Sequence, residues 1–185
     1  EPPQRTPVNL AEVVHDTERL LRVTLPPAIE LHMQLQPGLP PVLADATQVE
    51  QAVLNLCTNA VHAIQGQGSE RGSILVEAAL VHPDQRLSER LGLAPGDYVA
   101  LPVHDSGPGM DAATLERIFE PFFTTKPVGQ GTGLGLAVVH GVMRTHEGGI
   151  DVQSVPGQGS RFTSYFPVAT AQAAASSTAA AALPA

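Results

Sequence analysis

The sequence predicts an α/β domain in which helices cover one face of a single sheet. Three observations point there. Segments with apolar residues at helical spacing are interspersed with short segments that alternate apolar and polar residues. They come in mixed order rather than as a block of helices followed by a block of strands. The chain of 185 residues fits one domain with short appendages, and nothing in it repeats.

Residues 1–7 read as a linker, because three prolines in seven positions remove helix donors. From Val8 to Leu25, Leu10, Val13, Val14, Thr17, Leu21 and Leu25 share one broad helical face, and Pro26-Pro27 ends the run. Ile29, Leu31, Met33 and Leu35 alternate with polar residues, the pattern of a half-buried strand. Pro37-Gly38 turns the chain, and a short apolar run over 41–44 leads to the next helix. Asp45 caps that helix, with Gln48 placed as in a capping box. Val49, Val53, Leu56, Ala60 and Ile64 form its buried stripe, and Gly66 and Gly68 stop it.

Strands follow at about 73–82 and 97–103, separated by a polar loop with room for one helical turn. A short helix near 112–119 precedes a glycine-rich stretch. A helix from about Leu134 to His146 then leads into strands at 150–155 and 161–166, joined by Pro156-Gly157-Gln158-Gly159. Residues 169–185 are almost all alanine, serine and threonine and have no large apolar residue to dock them. They are expected to be disordered, as a linker to another domain or as a chain end.

The net charge of −8 repels phosphate backbones and anionic lipid, which argues against a nucleic-acid or membrane partner. A nucleotide remains compatible where local donors and a metal offset the field. The single cysteine, Cys57, lies in an apolar helical pattern and cannot form an internal disulfide, as in a reduced cytoplasmic protein. No apolar run approaches the roughly 18 residues of a membrane span, and the start of the chain lacks secretory character. The chain is therefore expected in the cytoplasm, alone or as the cytoplasmic part of a membrane-anchored sensor.

Four clusters carry chemistry. Asn55 and Asn59 lie at i and i+4 on the long helix, at the shoulder of its apolar stripe. An amide oxygen is a hard neutral ligand suited to Mg²⁺ otherwise held by water and phosphates, although a solvated helix face carries the same pair. Asp105-Ser106-Gly107-Pro108-Gly109 follows an apolar strand. A carboxylate there can accept from the exocyclic amino group of adenine while glycines admit a flat base; an Asp-capped strand-to-helix turn reads identically. Phe119, Phe122 and Phe123 are three of five phenylalanines, and form either core or the base of a loop. Beside them Lys126, one of ten basic residues, is a γ-phosphate contact or a surface lysine. Finally, glycines at 129, 131, 133 and 135 alternate before a helical pattern, a loop whose amides suit an anion. Neither glycine cluster satisfies the Walker or Rossmann patterns.

In order, these clusters resemble the N, G1, F, G2 and G3 boxes of bacterial sensor histidine kinases. Their catalytic domains belong to a wider ATPase group (GHKL) that includes gyrase and MutL. The quoted motifs are Asn-x-x-x-Asn at 55–59, Asp-x-Gly-x-Gly at 105–109, Phe-x-x-Phe-Phe at 119–123, Gly-x-Gly-x-Gly-Leu-Gly at 129–135, and Gly-x-Gly-Ser at 157–160. The match runs from about Val8 to Pro167, and the stretch 122–127 is most similar to nitrogen-regulatory and PAS-linked hybrid kinases.

The resemblance implies a two-layer α/β sandwich of the Bergerat type, with a mixed, mostly antiparallel five-stranded sheet under about three helices. It implies a linker over 1–7, a catalytic domain over 8–168 and a tail over 169–185. ATP and Mg²⁺ are the implied cofactors. Asn59 would ligate the metal, with Asn55 beside the triphosphate and catalytic together with Lys126. Asp105 would bond the adenine amino group, with Gly107 and Gly109 shaping its pocket, Gly157 and Gly159 closing it from the other side, and Phe122 among the nucleotide-binding residues. Residues from about Asp111 to Thr132 would form a lid, and Gly131, Thr132, Gly133, Leu134 and Gly135 would hold phosphates.

Where gyrase-like ATPases carry a glutamate that activates water, this chain has Asn55, which is no base. That favours phosphoryl transfer to an external histidine over hydrolysis. The alternatives are a hydrolase of the same group and a non-catalytic nucleotide-binding module. His15-Asp16 imitates a phosphoacceptor motif, but there is no room for the two long helices of an acceptor hairpin. The other histidines read as structural or exposed; His146 lies near a helix C-terminus, where a cation is favoured. The implied partners are that hairpin and a response-regulator receiver domain, with a homodimer only in the full-length protein.

Overall fold

The computed structural model describes residues 2–68, 71–124 and 135–170. The elements are β1 (Thr6–Val8), α1 (Leu10–Thr24), β2 (Ile29–Leu35), β3 (Val42–Ala44), α2 (Ala46–Gln65) and β4 (Gly72–Val81). After them come α3 (Gln85–Leu91), β5 (Tyr98–Asp105), α4 (Ala112–Leu115), α5 (Gly135–Thr145), β6 (Gly149–Ser154) and β7 (Ser160–Pro167). Five strands form one sheet in the order β2-β4-β5-β7-β6, and only the β2–β4 pair is parallel. The sheet is thus mixed and mostly antiparallel, as the sequence motifs imply.

Helices α1, α2 and α5 cover one face. The inward residues of the central strands, Ile74, Val76, Val99, Leu101, Val103, Phe162 and Phe166, are at most 2% exposed and meet the apolar stripes of the helices. Burying side chains of that size stabilises by about 1.5–3 kcal/mol each before entropy is counted. Thr17 is tolerated within the α1 stripe because its hydroxyl donates to the Val13 carbonyl at 2.8 Å. All five residues of the predicted α2 stripe are buried, and Asp45 caps the helix by accepting from Thr47 and Gln48 amides.

Several boundaries differ from those read in the sequence. The first helix starts at Leu10, capped by Asn9, because Val8 instead pairs with Val42 in a small antiparallel ladder of β1 on β3. Part of the stretch read as a linker is therefore strand, with Pro7 tolerated on an outer strand. The other edge of β3 is met by Val168, and Ala169 N–H donates to the Pro41 carbonyl at 2.9 Å.

The region read as a polar loop holds the two-turn α3, capped by Asp84 and stopped by Gly92 in the left-handed conformation. It lies against the second sheet face, where Leu93, Tyr98, Ala100 and Tyr165 form a separate small core with Leu87 and Leu91. Arg90 secures it with a 2.6 Å ion pair to Asp151. Helices are therefore not confined to one face.

Candidate functional site

Asp105 is the last residue of β5 rather than the residue after it, and is 8% exposed. Its Oδ1 accepts from the Gly107 amide at 2.8 Å, and the Ser160 backbone also bonds the carboxyl. Burial pushes its pKa above the ordinary value; the bonds from Gly107 and Ser160 and the nearby His104 oppose that shift. A carboxylate so placed is a desolvated acceptor with spare capacity.

The glycines around it leave no room for a side chain. A Cβ on Gly107 would lie 2.8 Å from Asp105 Oδ1 and 3.0 Å from the Ala63 methyl on α2. Gly109 has φ +73°, and a Cβ there would collide with the Val155 carbonyl. Gly159 has φ +77°, and a Cβ there would be driven into the carbonyl of Asp105 itself. The Gly157 amide donates to the Pro108 carbonyl at 2.6 Å. The turn after β5 and the β6–β7 hairpin are thus interlocked backbone to backbone.

Sequence reading missed Ser154, whose hydroxyl joins the same lock. It accepts from the Met110 amide at 2.8 Å, donates to the Gly159 carbonyl at 3.1 Å and lies 2.8 Å from Ser160 Oγ. It missed Ser106 too, which exchanges two bonds with the backbone of Ser73 and so fixes the turn to β4. A lone serine at a strand end carries no periodic signal that would mark it.

Helix α2 extends the site away from the carboxylate. Ala63 abuts Gly107; Asn59 lies one turn back and Asn55 one turn further, at steps of about 6 Å. Both asparagines are half-buried, and neither side-chain amide is bonded to another described residue. Between them Cys57 points into the core, its thiol pushed up to about 12 by burial, so it is an inert apolar filler. Among the described residues no group of three or more His, Cys, Asp or Glu could hold a metal ion. A hard cation here would rest on a single amide oxygen and on its ligand's own oxygens, which is the donor set that Asn59 offers.

The three phenylalanines divide. Phe119 packs against the core with its ring 5.2 Å from that of His140, and Phe123 lies under the Arg117 guanidinium at 4.5 Å. Phe122, at φ +68°, is 74% exposed and faces solvent. Gly135 opens α5, which packs on α2. Lys126, Gly131, Thr132, Gly133 and Leu134 lie outside the described residues.

His15 is exposed on α1, 4.0 Å from Glu18. His146 is structural rather than exposed: it is fully buried, and not the cation that its place near a helix end favours. Its Nδ1 donates to the Val142 carbonyl at 2.8 Å and its Nε2 accepts from the Asp45 amide at 3.0 Å, which requires the neutral ring. Burial lowers its pKa accordingly. It thereby ties the end of α5 to the start of α2. No helix among the described residues is long and apolar enough to cross a membrane.

A family model described as histidine kinase-, DNA gyrase B-, and HSP90-like ATPase matches residues 44–170. The chain is 38% identical over 164 residues to the sensor kinase CckA of Brucella abortus, covering 86% of this chain and 17% of that protein. It is 40% identical over 162 residues to the sensor histidine kinase ZraS of Klebsiella oxytoca, covering 87% of this chain and 31% of that one. It therefore spans about a third or less of the length of these curated relatives. Full-length ShkA, solved in complex with AMPPNP, superposes with a TM-score of 0.68 at 30% identity, over 90% of this chain and 32% of that chain.

Proposed function

This chain belongs to the family of histidine kinase-, DNA gyrase B-, and HSP90-like ATPases, and from that premise we propose that it is the Mg·ATP-binding catalytic module of a two-component sensor histidine kinase. In this reading it transfers the γ-phosphate to a histidine on a helical hairpin, and the phosphoryl group passes on to a response-regulator receiver domain. The observation that carries it is Asp105: a buried carboxylate, locked by glycine backbone, beside the helix that bears Asn59 and Asn55.

Asp105 accepts a proton from the exocyclic amino group of adenine, with the closely packed backbone of Gly107, Gly109 and Gly159 shaping the pocket around it. The triphosphate then runs along α2 toward Asn59 and Asn55, and the first amides of α5 at Gly135 offer donors to it. Lys126, Gly131, Thr132, Gly133 and Leu134 complete the phosphate end, and Phe122 belongs to the lid. Mg²⁺, when bound, neutralises developing charge on the phosphates; the role of Asn59 is to fix its position. Asn55 cannot take a proton from water, so the site positions a phosphoryl group for an incoming imidazole rather than activating hydrolysis.

The test is incubation with γ-labelled ATP of this chain alone and of the protein extended through the hairpin. Acid-labile, base-stable label is expected only when the hairpin is present, in cis or in trans. Label on the isolated chain abolished by His15→Ala, or steady hydrolysis without transfer, would overturn the assignment.

A further inference from the structure

β2 is an edge strand of the five-stranded sheet, and its backbone groups divide by parity. The Gln36 amide donates to the Ala78 carbonyl at 2.9 Å, and the Ala28 carbonyl accepts from the Gly72 amide at 3.3 Å. Successive residues of a strand aim these groups to opposite sides, so the even-numbered residues face β4. Ile29, Leu31, Met33 and Leu35 face the free edge. The Ile29 amide is taken by the Pro26 carbonyl at 3.0 Å, whereas the edge groups of Met33 and Leu35 bond no other described residue.

One carbonyl on this edge is covered by a side chain. Arg22 Nη2, from α1, donates to the Leu31 carbonyl at 3.1 Å. Glu18 steers the guanidinium there, its Oε1 accepting from Arg22 Nε at 3.3 Å. The Glu18 side chain is 22% exposed against 52% for Arg22, so the carboxylate is the fixed half of the pair.

The strand is also complementary to itself. Laid antiparallel on a second copy over its full length, Ile29 meets Leu35 and Leu31 meets Met33 on the core side, while Glu30 meets Gln34 on the other. Apolar cross-strand pairs of this kind stabilise a junction of two strands. Slipped by two residues either way, Leu31 meets Leu31 or Leu35 instead. In all three registers the Leu31 carbonyl must accept from the facing amide, and that is where the Arg22 guanidinium sits.

We propose that Arg22 guards the free edge of β2, a surface that fits a second copy of this chain, and so keeps two copies from joining sheet to sheet. Charged side chains on exposed edges oppose such pairing. Here the acceptor is already occupied, and a cation would have to leave water or swing aside before the strands could meet.

Sedimentation equilibrium of the chain and its variants tests this. The wild type is expected to stay a single chain up to about 1 mM, the range of weak affinities. Arg22→Ala, an exposed change to the best helix former, should dimerise at least about tenfold more tightly than the wild type, the effect of freeing one backbone acceptor. Adding Met33→Pro removes an edge amide used in every register and should return that variant to a single chain. Should the double variant not fold, hydrogen exchange decides: the Met33 and Leu35 amides should be slowed in the Arg22→Ala dimer. An Arg22→Ala protein that stays monomeric, or that dimerises no better than the wild type, overturns the proposal. So does a dimer that survives Met33→Pro or leaves those two amides exchanging as fast as in the monomer.

Discussion

The two ends of the candidate site are built from different material. At the Asp105 end, main chain is pressed on main chain: Gly109 against Val155, Gly159 against Asp105, Gly157 bonded to Pro108. Around the asparagines the described chemistry is side chain, two amides on one helix with no bond to another described residue. Substitution at the first end therefore strains the fold as well as the site, whereas substitution at the second removes a ligand contact and leaves the scaffold alone.

The sharpest way to break this contrast is Gly159→Ala. A Cβ at φ +77° is both in the left-handed region and in the path of the Asp105 carbonyl. We expect a loss of roughly 2–4 kcal/mol in urea or thermal unfolding. A loss below about 1 kcal/mol would mean that the hairpin shifts away cheaply and that the interlock is loose.

Asp105→Asn separates binding from folding at that same end. ATP affinity should fall about 10- to 150-fold, the value of a bond to a charged acceptor. Stability should not fall. The folded carboxyl has a raised pKa, so its contribution is favourable only while it is protonated at low pH and is lost as pH rises through the folded pKa. At neutral pH the charge is therefore a cost that asparagine relieves. An unfolded variant, or undiminished affinity in a folded one, contradicts this picture.

At the other end, Asn59→Ala should lower nucleotide affinity about tenfold with Mg²⁺ present and hardly at all in EDTA, with melting temperature unchanged. Equal losses with and without the metal would give Asn59 a structural role.

The smallest expected effect concerns His146, which stands behind the asparagine helix at its N-terminus. Its pKa is lowered in the folded state from 6.5, so the unfolded chain takes up the proton first. The contribution of the neutral ring is complete above the unfolded pKa and declines as pH falls below it. Chemical denaturation between pH 7 and 5 should show this slope, reduced in His146→Gln. Identical slopes would mean that the buried ring does not govern the acid response.

Much of this architecture is legible in the chain because it is periodic or punctuated. The α2 stripe appears as apolar residues three and four apart, and the glycines of 107, 109 and 159 appear as a residue type whose purpose the structure supplies. What escaped lacks a period. Val8 reads as the start of the first helix yet pairs with Val42, because strand pairing at a distance leaves no local mark. Helix α3 has only Leu87 and Leu91 to bury, and its small core is completed by Leu93, Tyr98 and Tyr165 from outside it. The burial of His146 depends on Asp45, a hundred residues earlier in the chain, so position near a helix end predicted the wrong charge state.

The pairing of β1 and Val168 on opposite edges of β3 has a mechanical meaning. Two neighbouring strand spacings put the entering and leaving segments roughly 10 Å apart. A domain with such closely set ends can be spliced between flanking segments without prising its core open. Tension applied through both ends would load the three residues of β3 together with the end of β7. The residue that follows them is Asp45, the cap of α2. A tug on the flanks would thus be felt at the base of the helix that carries the asparagines.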